Sequence, residues 1–371
     1  MTNEGYLPLE IANSCHGKGK YWYIQNTVGQ KWLISHNQMK MGLELFMPNS
    51  LKGKIVKRVM PFIVLNKQIR KKTGIKLVRF DITEVYKRKM ETVFQTDGLE
   101  YSFFLGSPGK NQKTTIQFIK EKKILGYCKI TDKPHIYDLF ENERNILIFL
   151  EEKGVQGVPR CLYSGKFSSL YLFAQTTKRT IFSNFNYHDN LAWNFVKTLY
   201  LKTRRVVRFE TSDYHTMLSE LQILIKEYDY AGKAHLEEII GRVLLKYQYK
   251  DLEFSFYHGD FTPWNSFEEE GRLFVFDFEY GKYLYPPFLD YFHYFTQSAL
   301  NKHKSTEWIV TFFKKKVKDK IKYNMGTTDL YEMYLLDIIQ QYMKYDIIGG
   351  EANPNLEKKI ALWINILKQI R

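Results

Sequence analysis

Two short stretches decide the fold of this chain: His258–Asn265 (HGDFTPWN) and Phe276–Glu279 (FDFE). Asn265 follows Asp260 by five residues, and Asp277 comes one short strand-like segment later. Phosphoryl transfer from ATP requires a carboxylate that orients the attacking hydroxyl, and it requires ligands for the magnesium ion that bridges the nucleotide phosphates. The spacing therefore predicts that Asp260 points at an acceptor hydroxyl, while Asn265 and Asp277 hold Mg²⁺, which prefers oxygen ligands.

The surrounding residues predict a compact loop followed by a hairpin. Pro263 keeps the loop from being the interior of a helix, and the apolar run Arg272–Phe276 (RLFVF) is typical of a buried strand. Turn residues at Glu268–Gly271 join the two pieces, so we expect the second aspartate to emerge beside the asparagine. His258 is expected to orient the loop through hydrogen bonds rather than to transfer protons.

The stretches HGDFTPWN and FDFEYG resemble the aminoglycoside phosphotransferase and choline kinase family, which shares the protein-kinase fold. The resemblance implies an α+β, two-lobed fold with a small β-rich N-lobe, a mainly helical C-lobe and ATP in the cleft. It implies Asp260 as the catalytic base, with Asn265 and Asp277 as the magnesium ligands. The run Asp277–Tyr280 is similar to choline and ethanolamine kinases in particular.

Eukaryotic protein kinases are a poorer match to these residues. Gly259 stands where their HRD motif has arginine, Glu279 stands where their DFG motif has glycine, and no Ala-Pro-Glu follows. A small-molecule acceptor is therefore favoured over a protein acceptor.

The nucleotide-binding half is expected upstream of these motifs. Three short strands are predicted there, at Tyr101–Leu105, Thr114–Ile119 and Ile124–Ile130. In the turn between the first two, Gly106, Ser107 and Gly109 are the residues that we assign to the nucleotide phosphates, with backbone N–H groups as donors. A plain hairpin turn explains them equally well, because a full G-x-G-x-x-G pattern is absent.

A lysine–glutamate clamp is also predicted in this half. Lys129 lies in the third strand, and the helical pattern over Asp138–Glu151 carries Glu143, which we select as its partner, with Glu141 as the close competitor. A solvated lysine and a surface glutamate are the alternative in such a lysine-rich chain.

The length of the chain allows two lobes and an N-terminal extension. We predict the extension over residues 1–95, the N-lobe over 96–176 and the helical C-lobe over 177–371. The N-lobe is expected to end in a strand at Tyr171–Ala174 and a hinge at Gln175–Thr177, so Gln175 is assigned to the nucleotide site. The helices predicted in the C-lobe are Asp189–Lys202, Tyr214–Tyr228, Lys233–Tyr247, Thr306–Lys322, Leu330–Tyr345 and Asn355–Ile370.

Composition bounds the partners and the compartment. The formal net charge of +15 over 371 residues attracts anions such as ATP, phosphorylated sugars, lipid surfaces and nucleic acid, although a lysine-rich genome is a serious alternative explanation. Nucleic acid ranks last, because no RNA-binding motif or zinc finger is recognisable. Cys15, Cys128 and Cys161 show neither metal spacing nor a disulfide framework. With neither a signal peptide nor a bilayer-spanning run, the reducing cytoplasm is the simplest compartment. The oligomeric state is not indicated.

Residues 1–95 carry two further patterns. Lys20–Gln25 and Gln30–Ser35 predict a strand pair, and Ser50–Lys72 predicts a helix broken or kinked at Pro61. Apolar residues recur every four positions in this helix among many lysines and arginines. Such a helix can lie on an anionic membrane, which would give peripheral contact through residues 50–72. We favour the alternative, in which its apolar stripe of Leu51, Ile55, Val59 and Ile63 packs on its own domain.

Aromatic side chains crowd the stretch His258–Asn265, which we call the catalytic loop. They suit a quaternary ammonium group or a sugar ring, although core packing accounts for most of them. They are Tyr257, Phe261, Trp264, Tyr280, Tyr283, Tyr285, Phe288, Tyr291, Phe292 and Tyr294. Asp290 is expected to cap the helix that follows it.

The acceptor is predicted from charge. Aminoglycosides require acidic pockets, whereas the acceptor-side helices are rich in lysine, so a sugar or a cell-envelope glycan is favoured. Choline or ethanolamine, an aminoglycoside, nucleotidyl transfer and a non-catalytic kinase-fold binding protein are the alternatives.

Overall fold

The computed structural model describes residues 7–13, 17–48, 51–227, 232–349 and 354–370. The first six residues, Cys15 and Ser50 lie outside the described residues. Two compact units are present. The first comprises Met1–Glu152 where described, Gln156–Phe185 and Phe267–Glu279, and the second comprises Lys153–Val155, Asn186–Ser266 and Tyr280–Arg371 where described. The division predicted at residue 95 therefore lies inside the first unit.

Eight antiparallel strands form the sheet of the first unit. They are β1 (Lys20–Gln25), β2 (Lys31–Ser35), β3 (Lys76–Arg79), β4 (Glu100–Phe104), β5 (Thr114–Lys120), β6 (Lys123–Thr131), β7 (Cys161–Phe167) and β8 (Leu170–Thr176). Their order across the sheet is β3-β1-β2-β4-β5-β6-β8-β7. The predicted strand pair near the N-terminus and the predicted strands β4, β5, β6 and β8 are confirmed, with ends shifted by one or two residues.

Within the described ranges, five α-helices accompany this sheet. They are α1 (Met39–Gly42), α2 (Leu51–Ile63), α3 (Lys67–Thr73), α4 (Glu84–Phe94) and α5 (Pro134–Glu152). The single helix predicted over Ser50–Lys72 is therefore two helices, with Pro61 inside the first. The helix is interrupted between Ile63 and Lys67. Asn66 caps α3, because its side-chain oxygen accepts the N–H groups of Gln68 and Ile69 at 3.0 and 3.1 Å.

Side chains alternate between the two faces of the sheet, and each face has its own core. On one face, Tyr21, Phe103 and Phe118 pack with Met90 of α4. On the other face, Trp22, Trp32 and Ile34 pack with Met60 and Val64 of the α2 region. The described residues of the predicted N-terminal extension therefore contribute strands and core side chains to this sheet.

The prediction for the apolar stripe of α2 is wrong in part. Ile55 and Val59 are exposed, and the buried side of the helix instead carries Met60. The helix is rotated about its axis so that Met60, Val56 and Ile63 pack against the core that contains the tryptophans of the sheet. Ile63 of the predicted stripe is therefore packed as expected, whereas Ile55 and Val59 are not.

The remaining strands are short. They are β9 (Arg205–Arg208), β10 (Asp251–Tyr257), β11 (Ser266–Glu269), β12 (Arg272–Val275) and β13 (Lys282–Tyr285). In the second unit, β10 lies between β13 and β9. The hairpin of β11 and β12 is the one predicted around Glu268–Gly271, and it carries the chain from the catalytic loop to Asp277.

Helices dominate the second unit. They are α6 (Asp189–Thr203), α7 (Asp213–Glu227), α8 (Lys233–Tyr247), α9 (Leu289–Asn301), α10 (Thr306–Phe312), α11 (Thr327–Gly349) and α12 (Pro354–Gln369). All six helices predicted for this region are present, although the one predicted over Thr306–Lys322 passes after Phe312 into a π-helical turn, Phe313–Val317. The predicted α+β class, β-rich first and mainly helical afterwards, is confirmed.

No helix within the described ranges is long and apolar enough to cross a lipid bilayer.

Candidate active site

Lys129 is buried in the middle of the sheet, on β6, and faces three carboxylates. Its Nζ donates to Glu143 Oε2 on α5 at 2.6 Å and to Asp277 Oδ1, and it lies 3.8 Å from Glu279 Oε2. The predicted pairing of Lys129 with Glu143 is thus present. The structure also brings in Asp277 and Glu279, of which only the aspartate had been assigned a role.

Glu141, the competitor for this pairing, has other partners. Its Oε1 accepts from the hydroxyl of Ser164 at 2.7 Å and from the hydroxyl of Tyr171. Glu141 and Glu143 are two residues, or about half a turn, apart on α5, so their side chains leave different sides of the helix. Glu143 is fully buried, whereas Glu141 is half-buried.

The cluster around Lys129 fits a divalent cation. Glu143, Asp277 and Glu279 each have a carboxylate oxygen within 4.8 Å of the others, and the ammonium groups that face them are those of Lys129 and Lys113. Burial opposes the charge on Lys129, but the carboxylates outweigh it and raise the pKa of Lys129. Burial also raises the pKa of Glu143, although Lys129 opposes this. Oxygen donors with an excess of negative charge are the set that Mg²⁺ prefers.

The segment that carries two of these carboxylates is held by α5. Phe278 N–H donates to Glu143 Oε1 at 3.3 Å, and the side-chain amide of Asn142 donates to the carbonyl of Glu279 at 2.9 Å. Asp277 itself has a φ of +71°, a left-handed conformation that is uncommon for a residue other than glycine. Such backbone strain persists only where the surroundings fix it, and it is frequent at functional sites.

The loop between β4 and β5 contains the three residues assigned to phosphates. Gly106 has a φ of +80°, and a Cβ there would lie 2.5 Å from the carbonyl oxygen of Lys113, so the position requires glycine. The hydroxyl of Ser107 accepts from the side-chain amide of Gln30 at 2.8 Å. Gly109 has a φ of +145° and open space around it. The loop is therefore a tight turn with one tethered hydroxyl.

Gln175 does not lie in a hinge beyond the strand. It is inside β8, opposite Tyr127 on one side and Cys161 on the other, because β8 continues to Thr176. Its side-chain oxygen is buried and has no hydrogen-bond partner among the described residues. A buried acceptor without a partner is costly, so this atom is a candidate contact for a ligand donor.

The second unit carries the predicted catalytic loop, His258–Asn265, which begins where β10 ends. His258 is fully buried, and its Nδ1 accepts the N–H of Asp260 at 3.2 Å, which agrees with the orienting role predicted for it. Gly259 has a φ of +82°, and a Cβ there would lie 2.6 Å from the carbonyl oxygen of Tyr280. An arginine, as in protein kinases, cannot occupy this position without moving the loop.

The prediction that Asp290 caps a helix is wrong. α9 begins one residue earlier, and the carboxylate accepts the N–H groups of His258 at 2.8 Å and Gly259 at 3.2 Å. Asp290 therefore holds the catalytic loop against α9. Burial raises the pKa of Asp290 to about 8.

Asp260 has one side-chain partner on each oxygen. Asn265 Nδ2 donates to Oδ2 at 2.8 Å and to the backbone carbonyl of Asp260 at 3.0 Å, while His293 Nε2 lies 3.3 Å from Oδ1. Because Asn265 directs its nitrogen at Asp260, its side-chain oxygen is the atom left for a metal. His293 is buried against the edge of Tyr334, at 5.7 Å between ring centroids.

A cavity of about 240 Å³ opens beside Asp260 within the second unit. Its lining residues are Asp260, Trp264, Tyr280, His293, Gln297, Ile338, Gln341 and Tyr342. One carboxylate, amides and aromatic rings make up most of this wall, and no lysine or arginine of the described ranges lines it.

Sequence reasoning missed several of these residues. His293 follows Asp290 by three positions on α9, which is a signal that it shares a helix face with a loop-binding residue. Gln341 and Tyr342 belong to the distant α11 and gave no local signal. Of the aromatic residues near the loop, most are core as expected, and Trp264 and Tyr280 line the cavity.

Comparison with solved structures identifies the fold. A thermostable mutant of aminoglycoside phosphotransferase APH(4)-Ia, in a ternary complex with AMP-PNP and hygromycin B, matches with a TM-score of 0.52 and 11% identity over 78% of this chain and 98% of that chain. The apo form of a thermostable mutant matches with a TM-score of 0.50 and 12% identity over 76% and 97%. Choline kinase LicA from Streptococcus pneumoniae matches with a TM-score of 0.47 and 13% identity over 77% and 98%. No protein-family model and no curated protein sequence matches. The predicted protein-kinase-like fold of the aminoglycoside phosphotransferases is confirmed, as a likeness of fold.

Proposed function

We propose that this protein is a phosphotransferase that moves the γ-phosphoryl group of ATP, with Mg²⁺, to a hydroxyl of a small molecule. The observation that carries the proposal is Asp260, which lies at the wall of a cavity and is held there by Asn265 and His293. A fixed carboxylate beside a cavity is the group that an attacking hydroxyl requires.

The cluster around Lys129 supports ATP as the phosphoryl donor. Lys129, oriented by Glu143, would contact the nucleotide phosphates as a charged lysine, and its raised pKa keeps it charged at neutral pH. Asp277 would hold Mg²⁺. From the spacing of Asp260, Asn265 and Asp277 in the sequence, Asn265 would be the second protein ligand of the ion. Bound Mg²⁺ would neutralise charge on the phosphates.

The tight turn after β4 supports a second contact with the nucleotide. Gly106 and Gly109 would offer backbone N–H groups to the phosphates, with Ser107 beside them. Gln175 would offer its unpartnered side-chain oxygen to an amino group such as that of adenine.

Asp260 would act on the acceptor side. As the hydroxyl oxygen attacks the γ-phosphorus, its proton passes to a carboxylate oxygen of Asp260, and the bond to ADP breaks. The hydrogen bonds from Asn265 and His293 fix the carboxylate before the substrate arrives, so little reorganisation is needed during the reaction.

The lining of the cavity favours an uncharged polyhydroxy acceptor, a sugar or a cell-envelope glycan. The rings of Trp264 and Tyr280 can stack on a sugar, while the amides of Gln297 and Gln341 can bind its hydroxyls. An aminoglycoside would bring several ammonium groups to a wall with one carboxylate, which is unfavourable.

Choline or ethanolamine is the second candidate, because aromatic rings also bind quaternary ammonium groups. A non-catalytic binding protein is the third, and the complete set of Asp260, Asn265, Asp277 and Lys129 weighs against it.

The proposal is tested by ADP release from Mg-ATP with sugars, glycan fragments, choline, ethanolamine and aminoglycosides as acceptors. Acceptor-dependent release is expected in the wild type and should be lost in Asp260→Asn, which keeps the shape of the side chain but cannot take a proton. The matched control is Asp97→Asn, which changes an exposed aspartate and should leave the rate unchanged.

The mass of the product separates the alternatives. A phosphoryl addition supports the proposal, whereas an adenylyl addition indicates nucleotidyl transfer. Equal ADP release in Asp260→Asn and wild type would refute the role of the aspartate. ADP release with choline as the only active acceptor would show that the acceptor is an amino alcohol and not a sugar.

A further inference from the structure

One surface of the first unit combines exposed apolar side chains with basic ones. Ile55, Val59 and Phe62 lie at positions i, i+4 and i+7 of α2, and they project from the same exposed side. Phe62 is 72% exposed, and Leu65, just beyond the helix, is 76% exposed. Ile69 on α3 is also exposed. A cluster of large apolar side chains in water is uncommon on a monomer and indicates a contact surface.

The charge of this segment has one sign. Between Leu51 and Phe80 the sequence contains ten lysines and arginines and no aspartate or glutamate. Lys57 is neutralised by Glu44 at 2.9 Å, and Arg70 lies over the ring of Trp22. The exposed basic residues for which the described part of the chain provides no ion pair are Lys54, Arg58, Lys67, Lys71, Lys72, Lys76 and Arg79.

The strand register shows that several of these residues share one side of the sheet. Trp22 packs toward α2, and it pairs with Leu77 on the edge strand β3. Because alternate residues share a face, Leu77 and Arg79 lie on the side that α2 covers. Leu77 is itself 40% exposed. The apolar side chains and their basic neighbours on α2 and α3, together with Leu77 and Arg79, thus make up what we call the α2–α3 surface. Lys76 pairs with Tyr23 and lies on the opposite face of the sheet.

We propose that the α2–α3 surface docks on a membrane that contains anionic lipids. Exposed apolar side chains flanked by lysine and arginine suit the boundary between acyl chains and negatively charged headgroups. The absence of acidic residues between Leu51 and Phe80 disfavours a second copy of the same surface, because two such faces would repel. Nucleic acid would use the charge but would leave Phe62 and Leu65 without an apolar environment. The proposal is independent of the proposed phosphotransferase activity.

Sedimentation of the full-length protein with vesicles tests the proposal. Binding is expected to vesicles of phosphatidylcholine with phosphatidylglycerol, to be weak with phosphatidylcholine alone, and to fall as salt is added. Phe62→Ser combined with Leu65→Ser should weaken binding roughly tenfold or more, because two apolar side chains no longer enter the bilayer surface. Lys71→Ala combined with Lys72→Ala should weaken it roughly 25-fold, from about fivefold for each basic residue.

Matched control variants test whether position matters. Val85→Ser with Leu245→Ser removes two equally exposed apolar side chains elsewhere, and Lys122→Ala with Lys123→Ala removes two exposed lysines from the β5–β6 turn. Both pairs should bind vesicles like the wild type, and circular dichroism should show that every variant is folded.

Three results would overturn the proposal. The first is equal binding to neutral and anionic vesicles, or none to either. The second is vesicle binding that the Phe62 and Leu65 changes leave unaltered. The third is association of the protein with itself, or with a nucleic-acid duplex, that those changes abolish while vesicles are not bound.

Discussion

Replacing Lys129 by methionine should destabilise the protein strongly. Its side chain is 8% exposed and is the ammonium closest to Glu143 and Asp277, with Glu279 at 3.8 Å. Removing one partner of a buried ion pair leaves uncompensated charge and costs about 3–5 kcal/mol. The matched control is Lys178→Met, because Lys178 forms a 3.1 Å ion pair with Glu269 but is 55% exposed. An exposed pair contributes at most about 1 kcal/mol.

Urea unfolding followed by circular dichroism measures both changes. Combining Lys129→Met with Glu143→Gln should recover part of the loss, because one of the unpaired charges is removed with its partner. If Lys129→Met lowers the free energy of unfolding no more than Lys178→Met does, the carboxylates around Lys129 are solvated in solution and the argument for a buried charged cluster is wrong.

Magnesium provides a second readout for the same variant. Without Lys129 the carboxylates of Glu143, Asp277 and Glu279 have less positive charge to balance them, so they should bind a cation more tightly. Magnesium chloride should therefore raise the unfolding midpoint of Lys129→Met more than that of the wild type, relative to sodium chloride at equal ionic strength. An equal rise in both proteins would show that these carboxylates do not form the metal site.

Three further perturbations address the catalytic loop. His293→Leu removes the donor 3.3 Å from Asp260 and should lower kcat about tenfold, while His293→Gln, which keeps a donor at a similar reach, should stay within about threefold of the wild type, as steady-state ADP release will measure. Equal rates in the two variants would contradict a positioning role. Burial raises the pKa of Asp290 from 3.8 to about 8. At a pH between these two values, the Asp290 carboxyl holds a proton in the folded protein that it has lost in the unfolded chain. The free energy of unfolding should therefore fall with rising pH by up to about 1.4 kcal/mol per unit, and Asp290→Asn should remove this slope in urea titrations. Gly259→Ala should destabilise the protein by more than Gly271→Ala: both positions have positive φ, but only at Gly259 would the added Cβ collide with backbone atoms. Equal shifts of the melting temperature would show that the loop adapts freely.

The elements that sequence could predict are those whose pattern is local. β5 and β6 have apolar runs bounded by turn residues, and α8 has a complete helical period, so their limits were predicted closely. β3, with four mostly exposed residues, and β7, whose seven include Gly165, carry no such pattern. They become strands because β1 and β8 provide their hydrogen bonds, which depends on residues distant in the chain.

The residues of the candidate site likewise differ in whether a local pattern could predict them. Spacing along the chain was enough to select Asp260 and Asn265, because five residues of one loop bring them together. Lys129 and Glu143 could be selected because a strand followed by a helix fixes their approach. His293 required knowledge of which side of α9 faces the loop, and that side is set by the packing of α9 rather than by its own sequence.

The charge of the chain and the lining of the cavity point to different partners. Ten of the lysines and arginines that give a net charge of +15 lie between Leu51 and Phe80, in the first unit, whereas the cavity belongs to the second unit. The sequence argument against an aminoglycoside relied on the lysines of the acceptor-side helices, but within the described part of the chain no lysine lines the cavity. That argument therefore says little about the acceptor.

The cavity itself provides a better argument. Its carboxylate, Asp260, is committed to the reacting hydroxyl in the proposed mechanism, which leaves amides such as Gln297 and Gln341 as polar partners for the rest of the acceptor. Amides satisfy hydroxyl groups as donor and as acceptor, but each buried ammonium group without a carboxylate costs several kcal/mol. The acceptor class that we propose therefore rests on the few side chains around Asp260, and the exposed basic residues of the α2–α3 surface belong to the separate membrane proposal.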